Sequence, residues 1–268
     1  RKGVWGSLAW TTSNATDFMS AGSIASGSWT GARSVNGNND LRLSNSDFNI
    51  PNRIVGLFGY KLEYGGEYGG STSFSVGYIG SQAGAYSYTI SGDMNGDRVN
   101  NNELIFIPKA GTDIKFAPLV VGTTTYTEAQ QQAAFEAYIK QDKYLSANRG
   151  QYAARNASVV PMLHRFDVSI VQEFFVKVKG KRNTLQFRAD ILNFANMLND
   201  SWGVSQRVTN PQVLAFSSVN TAGEPVYKLA TQKNLDGTTT LIKDTYQKNS
   251  SVFDVWQAQI GLRYIFGR

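Results

Sequence analysis

The most informative stretch of the sequence is Trp256-Gln-Ala-Gln-Ile-Gly-Leu-Arg-Tyr-Ile-Phe266. With a period of two, one face of this stretch is apolar and consists of Trp256, Ala258, Ile260, Leu262, Tyr264 and Phe266. The opposite face is mainly polar and consists of Gln257, Gln259, Gly261, Arg263 and Ile265. A strand that crosses a bilayer needs about 9–11 residues and has aromatic side chains at both interfaces. The stretch therefore predicts a transmembrane β-strand, although an edge strand of a soluble sandwich shows the same alternation.

Composition narrows the class of protein. The 268 residues contain no cysteine, which excludes disulfide scaffolds and thiolate metal sites. No run of about 18 apolar residues predicts a transmembrane helix. The mean hydropathy of −0.28 is typical of strands with one face in lipid and one in water. The net charge of +6 is scattered along the chain, so we expect contact with anionic lipid headgroups or lipopolysaccharide and no nucleic-acid partner.

Alternation recurs along the chain. Including the closing stretch, six segments have strand character: residues 3–11, 53–64, 71–82, 165–178, 184–195 and 255–266. Charged side chains fall on the polar faces of these segments, and we expect five of them to face a barrel lumen: Glu173, Lys177, Arg188, Asp190 and Arg263. They would pair across adjacent strands or contact a plug. Lining a translocation path is the alternative role.

Short and long connections alternate strictly. The short ones are Gly65–Gly70 and Lys179–Asn183, and the long ones are about 12–52, 83–164 and 196–254. Outer-membrane barrels have short periplasmic turns and long extracellular loops, so we predict an all-β antiparallel transmembrane barrel in the bacterial outer membrane with a periplasmic C-terminus. Six strands do not close, because such barrels begin at about eight strands. We therefore expect the C-terminal part of a larger barrel, with closure by oligomerisation as the alternative.

The second long connection has a helix signal of its own. Thr127-Glu-Ala-Gln130 predicts a capping box that opens a helix extending to about Ala147, with Gly150 ending it. The predicted inward stripe of this helix consists of Phe135, Tyr138, Ile139, Asp142 and Leu145. A helix in an extracellular loop is expected to pack the loop rather than to perform chemistry.

One loop has the pattern of a cation site. Carboxylate and amide oxygens alternate there as a hard cation such as Ca²⁺ prefers, in the set Asp93, Asn95, Asp97, Asn101 and Glu103. The sixth position holds Arg98 instead of glycine, and the last acid comes one residue early. An Asx-rich turn, in which the side chains bond their own backbone, is the alternative. His164 is the only histidine, so no catalytic or multi-histidine zinc site is expected, and we predict no enzyme.

Several blocks together resemble the Oar-like group of TonB-dependent receptors of Bacteroidetes. They are Asp93 to Pro108, Arg155-Asn-Ala157, His164-Arg-Phe-Asp167, Lys181 to Phe194, Trp202-Gly203 and Gly261 to Phe266. The resemblance implies a 22-stranded barrel, an N-terminal plug and a TonB box; neither plug nor box is visible in this sequence. It also implies TonB and the barrel-assembly machinery as partners. Gln259, Gly261, Tyr264 and Phe266 resemble the signal that this machinery recognises.

Three functions follow from these patterns. The first is a TonB-dependent receptor or transporter whose loops bind an extracellular ligand and whose lumen takes it up. The second is a structural or adhesin-like barrel subunit of an envelope complex with lipoprotein or other partners. The third is a soluble carbohydrate-binding module, favoured if the loop binds calcium and the strands form a sandwich.

Overall fold

The computed structural model describes residues 2–82 and 84–267, and 48% of residues lie in strands, which makes the chain all-β. Six strands are much longer than the others. They are β1 (Lys2–Thr12), β2 (Asn52–Gly65), β3 (Tyr68–Gln82), β4 (Met162–Val178), β5 (Lys181–Leu192) and β6 (Gln257–Ile265). Each covers most of one predicted segment, because period-two alternation identifies strands more reliably than it fixes their ends.

The six strands form one sheet, with every strand antiparallel to its neighbours in chain order. Among the described residues the sheet is open, since β1 pairs only with β2 and β6 only with β5. The long connections, 13–51, 83–161 and 193–256, all leave from one end of this sheet. The two short turns lie at the opposite end.

The turn between β4 and β5 is tighter than the predicted Lys179–Asn183. It consists of Lys179 and Gly180 alone, with φ angles of 52° and 77°. Two successive positive φ angles are the signature of a type I′ hairpin, whose twist matches that of the flanking strands. Because this turn needs only two residues, β5 starts at Lys181 and gains three residues over the prediction.

Two predicted segments have wrong ends, mainly where the long connections meet the sheet. Segment 184–195 stops at Leu192, because Asn193 takes a left-handed φ of 53° and the chain turns into a short helix, Phe194–Leu198. Segment 255–266 loses Val255, Trp256 and Phe266, so β6 is Gln257–Ile265. A 3₁₀ turn, Val252–Asp254, sets the chain direction just before β6.

A hydrophobic core lies outside the six-stranded sheet. We call the packed part of the second and third connections the loop unit. Its buried apolar side chains are Tyr88, Ile90, Ile105, Ile107, Ile114, Phe116, Phe135, Tyr138, Ile139, Leu145, Ala153, Val213, Leu214, Tyr227, Leu229 and Ile242. The predicted long loops are therefore one packed structure rather than free segments.

Short strands and helices build the loop unit and the first connection. A four-stranded sheet has the order Ile90–Ser91, Leu214–Val219, Pro225–Leu229, Lys115–Phe116. Six two-stranded pairs join Thr16–Asp17 to Ser44–Asn45, Ala85–Tyr86 to Ser158–Val159, Phe106–Ile107 to Gln151–Tyr152, Leu119–Val121 to Thr124–Tyr126, Gln206–Val208 to Tyr246–Lys248, and Thr231–Lys233 to Thr239–Leu241. The remaining helical segments are Ala25–Thr30, Gly111–Asp113, Glu128–Gln141 and Lys143–Ala147.

The predicted helix is present but divided. Its capping box is confirmed: the Thr127 hydroxyl accepts from the Gln130 backbone N–H, and the Gln130 side chain accepts from the Thr127 N–H. Its continuity to Ala147 is wrong, because Asp142 leaves the helical conformation with ψ at 123°. There the carboxylate accepts from the Tyr88 hydroxyl at 2.6 Å and caps the Leu145 N–H at 2.8 Å. Of the described helices, none is both long and apolar enough to cross a membrane.

Candidate functional site

The sheet has one apolar face that is continuous across all six strands. Strand register aligns one apolar row across it: Val4, Tyr60, Phe74, Ile170, Ala189 and Ile260. The adjacent row on the same face is Phe58, Val76, Val168, Ile191 and Ala258. Most of these side chains are exposed, with Val4 at 69% and Ile260 at 85%, whereas Tyr60, Val76, Val168 and Ile191 are half-buried. We call this surface the apolar face.

The opposite surface, the polar face, has rows of a different composition. One row aligns Glu63, Ser71, Glu173, Gln186 and Arg263 across five strands. Another aligns Ser75, Ser169, Asp190 and Gln259. All five charged residues expected in a lumen lie on this face, namely Glu173, Lys177, Arg188, Asp190 and Arg263. The sheet thus brings together residues that are up to 90 positions apart in the sequence.

Glu173 is the centre of a hydrogen-bond network on the polar face. Its carboxylate accepts from the Ser71 hydroxyl at 2.8 Å and from the Gln186 amide at 2.8 Å. The Arg182 guanidinium lies 3.4 Å from Glu173 and 3.3 Å from Glu63. It also stacks over the Phe175 ring, 3.9 Å from the centroid. These contacts join four adjacent strands, β2 to β5, as cross-strand pairs do in stable sheets.

Arg182 was not among the residues expected in the site. It was assigned to the turn after β4, where a basic residue has no predicted partner. The two-residue turn moves it into β5 and onto the polar face. The available signal was Gly180 alone, because glycine readily takes the positive φ that a two-residue hairpin requires at its second position.

A shallow depression lies between β5 and β6 on the polar face. Its volume is about 330 Å³, and its lining includes Gln186, Arg188, Asp190, Gln259 and Arg263. Arg188 donates to Asp190 at 2.6 Å, so these two pair along one strand rather than across strands as expected. Among the ion pairs of the described residues none involves Lys177 or Arg263. Both cations are therefore available to an anionic ligand or to another part of the protein.

His164 belongs to the apolar face, whereas Arg165, Asp167 and Ser169 belong to the polar one. Its Nδ1 lies 2.7 Å from the Tyr78 hydroxyl. A catalytic triad built from His164, Asp167 and Ser169 would need all three side chains on one face of the sheet. Strand alternation places His164 on the opposite face from the other two.

The four residues of the predicted assembly signal divide between the two faces. Tyr264 lies on the apolar face and stacks on Phe266, with centroids 6.1 Å apart. Gln259 and Gly261 lie on the polar face. Phe266 itself follows the end of β6 and is exposed.

The acidic loop lies in the second connection, at the connection end of the molecule. Carboxylate oxygens of Asp93, Asp97 and Glu103 lie within 4.8 Å of one another. Asp93 accepts the backbone N–H groups of Gly96, Asp97 and Arg98 at 2.8, 3.2 and 2.9 Å. The loop is thus the Asx-rich turn that was the alternative, and it also gathers three acids.

The other two predicted loop residues have different contacts. The Asn95 side chain bonds Asp97, accepting from its N–H at 3.0 Å and donating to its carboxylate at 3.1 Å. Asn101 is not in the acidic group; its side-chain oxygen accepts from the Gly92 N–H at 3.0 Å and closes the loop. Arg98, which replaces the expected glycine, takes a φ of 68°, the left-handed conformation that glycine supplies at such a position.

A second polar cluster joins the first connection to the second. Arg155 is 5% exposed and forms an ion pair with Asp17. Burial alone would raise the pKa of Asp17, but hydrogen bonds from Arg155, Ser46 and Ser20 outweigh it and lower the pKa below the ordinary value. The fully buried Asn156 donates to Asp47 at 2.6 Å and accepts from Ser87 at 3.0 Å. Arg155 and Asn156 therefore have a structural role: they hold the first connection against the second.

Comparisons with known proteins do not assign the chain to a family. No family model matches the chain, and neither the curated proteins nor the solved structures include a significant match.

Proposed function

We propose that β1–β6 are transmembrane strands of an outer-membrane β-barrel, with the apolar face in lipid and the polar face toward the lumen. The observation that carries this proposal is the apolar face itself. Soluble monomers rarely expose contiguous apolar patches beyond a few hundred Å². Each Å² of apolar surface costs about 25 cal/mol in water, so a six-stranded apolar surface needs another apolar phase. In a barrel the apolar face contacts lipid hydrocarbon and the polar face contacts water in the lumen, so each surface has a suitable solvent.

The two edge strands extend the proposal. An open strand edge leaves unpaired N–H and C=O groups, and hydrocarbon offers no water to satisfy them. We therefore infer that further strands pair with the free edges of β1 and β6 and close the barrel. These strands come either from a longer polypeptide or from other copies of this chain.

The orientation follows from the connections. Bacterial barrels have their long loops outside the cell and their short turns in the periplasm. The loop unit and the acidic loop are then extracellular, and the Lys179-Gly180 turn is periplasmic. Lipopolysaccharide surrounds the outer ends of the strands in this arrangement.

Within this class we propose a TonB-dependent receptor or transporter that binds or imports an extracellular ligand. The motif blocks that resemble the Oar-like receptors support this choice. So does the polar face, where Lys177 and Arg263, which form no ion pair with any residue that the structure describes, lie among hydrogen-bonding side chains. The partners would be TonB and the barrel-assembly machinery.

Membrane insertion is tested by fractionation of cells that express the chain with its native flanking sequence. We expect it in the outer-membrane fraction, extracted only by detergent, with heat-modifiable mobility on gels. A monomer that folds in buffer without detergent would contradict the barrel and favour the soluble sandwich module.

Transport is tested with labelled siderophore, glycan and peptide probes in cells with and without TonB. We expect uptake of one probe class to need both this protein and TonB. Surface binding that persists without TonB, with no uptake, would favour the adhesin-like or structural subunit. The packed core of the loop unit is the observation that favours this second function, because it gives the extracellular side a rigid binding surface.

A further inference from the structure

The acidic loop carries a second observation besides its three acids. Glu103 is 1% exposed, and its Oε1 accepts from the backbone N–H groups of Met94 and Asn95 at 3.0 and 3.4 Å. Its other oxygen, Oε2, is buried and has no hydrogen-bond partner in the described structure. Nor does any ion pair of the described residues include Glu103. A buried carboxylate without a counter-charge is costly, so this position favours a bound cation.

Two residues next to Glu103 hold further buried acceptors. Ser34 pairs with Glu103 in an isolated parallel bridge, and Asn102 precedes Glu103 in the chain. The Ser34 hydroxyl oxygen and the Asn102 side-chain oxygen are also buried without partners among the described residues.

The spacing of the acids fits one ion. Calcium–oxygen distances are about 2.3–2.6 Å, so ligand oxygens on opposite sides of the ion lie about 5 Å apart. The 4.8 Å limit on the oxygens of Asp93, Asp97 and Glu103 falls within this shell. Magnesium, with distances of about 2.0–2.1 Å, needs a tighter group and near-ideal octahedral geometry.

We propose that the carboxylates of Asp93, Asp97 and Glu103 bind one Ca²⁺. The ion braces the second connection against the first, because Gly37 lies beside the Asn95 and Asp97 side chains and Ser34 pairs with Glu103. The inference is independent of the proposed membrane role, since all of its residues lie in the connections.

The test uses the purified full chain in a non-ionic detergent, first treated with EDTA and then titrated with CaCl₂. We expect a saturable rise in the melting temperature of the loop unit by several degrees, because an ion that binds only the folded state stabilises it. MgCl₂ should give a much smaller rise at the same concentration. No calcium-dependent rise up to millimolar concentration, or an equal rise with magnesium, would overturn the proposal.

Two substitutions separate the site from an ordinary Asx turn. Asp97 and Asp236 are both exposed, and each accepts the N–H of the residue two positions on, at 2.8 and 2.9 Å. We expect Asp97→Asn to melt like the wild type in EDTA and to bind Ca²⁺ at least tenfold more weakly. Asp236→Asn should keep the full calcium response. A calcium response that survives in Asp97→Asn would show that the ion binds elsewhere and would overturn the assignment.

Terbium luminescence gives a second readout that does not depend on melting. The Tyr227 hydroxyl lies 3.2 Å from the Met94 sulfur, inside the acidic loop, so this tyrosine can sensitise a bound Tb³⁺. We expect luminescence that Ca²⁺ displaces and that Glu103→Gln abolishes. Tyr227→Phe should weaken the luminescence while leaving the calcium-induced rise in melting temperature intact.

Discussion

The sheet and the loop unit use apolar side chains in opposite ways. In the loop unit, Phe135, Tyr138 and Ile139 are fully buried. In the sheet, Leu8, Leu262 and Ile260 are 77%, 68% and 85% exposed. Of the buried hydrophobic cluster, no member belongs to β1–β6. One chain therefore contains a unit that buries its apolar side chains within itself and a sheet that leaves many of its apolar side chains exposed.

The polar groups of the two regions differ as well. On the sheet they pair across strands, as Glu173 does with Ser71 and Gln186. In the loop unit they cap helices and turns, as Thr127 and Asp142 do. Cross-strand pairing requires the strand register, whereas capping is local in sequence. A shift in strand register would therefore break the hydrogen bonds of the polar face but leave the loop unit's caps intact.

The largest expected effect is in the loop unit. Phe135→Ala removes a fully buried ring that meets Phe116 edge-on, with centroids 6.1 Å apart. Substitutions of this kind cost about 3–5 kcal/mol of unfolding free energy. Denaturant unfolding, with hydrogen exchange in the helix Glu128–Gln141, measures the loss. Phe253→Ala, at a ring that is 74% exposed, should cost less than about 0.5 kcal/mol. Equal losses would remove the distinction between buried and exposed rings.

The next effect tests the apolar face. Ile170 lies midway along β4 on the apolar face, and Ser169 beside it lies on the polar face. In lipid we expect Ile170→Lys to cost about 2–4 kcal/mol, because it buries a charge near the bilayer midplane. Ser169→Lys, close to Asp190, should cost less than about 0.5 kcal/mol. Both are measured by reversible unfolding in lipid vesicles.

The same pair of variants distinguishes lipid from water around the sheet. Ile170 is already 46% exposed. A soluble sheet would therefore tolerate lysine there about as well as at Ser169. Similar unfolding free energies for the two variants would contradict the lipid assignment of the apolar face.

The sequence predicts the sheet well because its signal is periodic. Alternation over nine or more residues places all six strands, and the register then fixes which charges share a face. The ends of strands are less predictable. Asn193 ends β5 through a left-handed φ and a side-chain amide that bonds the Gly203 and Asp254 carbonyls, at 2.9 and 3.1 Å. Those partners are 10 and 61 residues away in the sequence, so no local pattern predicts where the strand ends.

The candidate sites are predictable only where their residues are close together in the sequence. The acidic loop is contiguous in sequence, so its composition alone identifies it. Arg182 was missed because the observed turn is three residues shorter than the predicted Lys179–Asn183, and this difference moves Arg182 from a turn onto the polar face. The helix break at Asp142 depends on Tyr88, and Thr245 also donates to this carboxylate at 3.0 Å. Such long-range partners outweigh the helix signal in residues 128–147.

A smaller effect is expected where the two regions join. Gly203 has a φ of 63°, and an added Cβ would lie 1.9 Å from the Asn193 side-chain oxygen. We expect Gly203→Ala to cost about 1–3 kcal/mol of unfolding free energy, from backbone strain and displacement of Asn193. Gly223→Ala is the control, because it has a φ of 81° with no atom within 4 Å of the added carbon. Equal costs for the two variants would show that the Asn193 contact adds nothing to the strain.

The smallest effect concerns an ion pair of the loop unit. Arg149 binds the Glu136 carboxylate through two hydrogen bonds of 3.0 and 2.9 Å, which lower the pKa of Glu136 below its ordinary 4.5. A lowered carboxyl pKa stabilises the fold above about pH 4.5, and the contribution is lost as the pH falls through the folded-state pKa. At pH 7 we expect Glu136→Gln to cost less than about 1 kcal/mol, since both side chains are only partly buried. The difference from the wild type should shrink between pH 5 and about pH 3 in denaturant titrations. If the difference stayed constant over that range, or if Arg149→Gln added its full cost to Glu136→Gln, the two side chains would not be coupled.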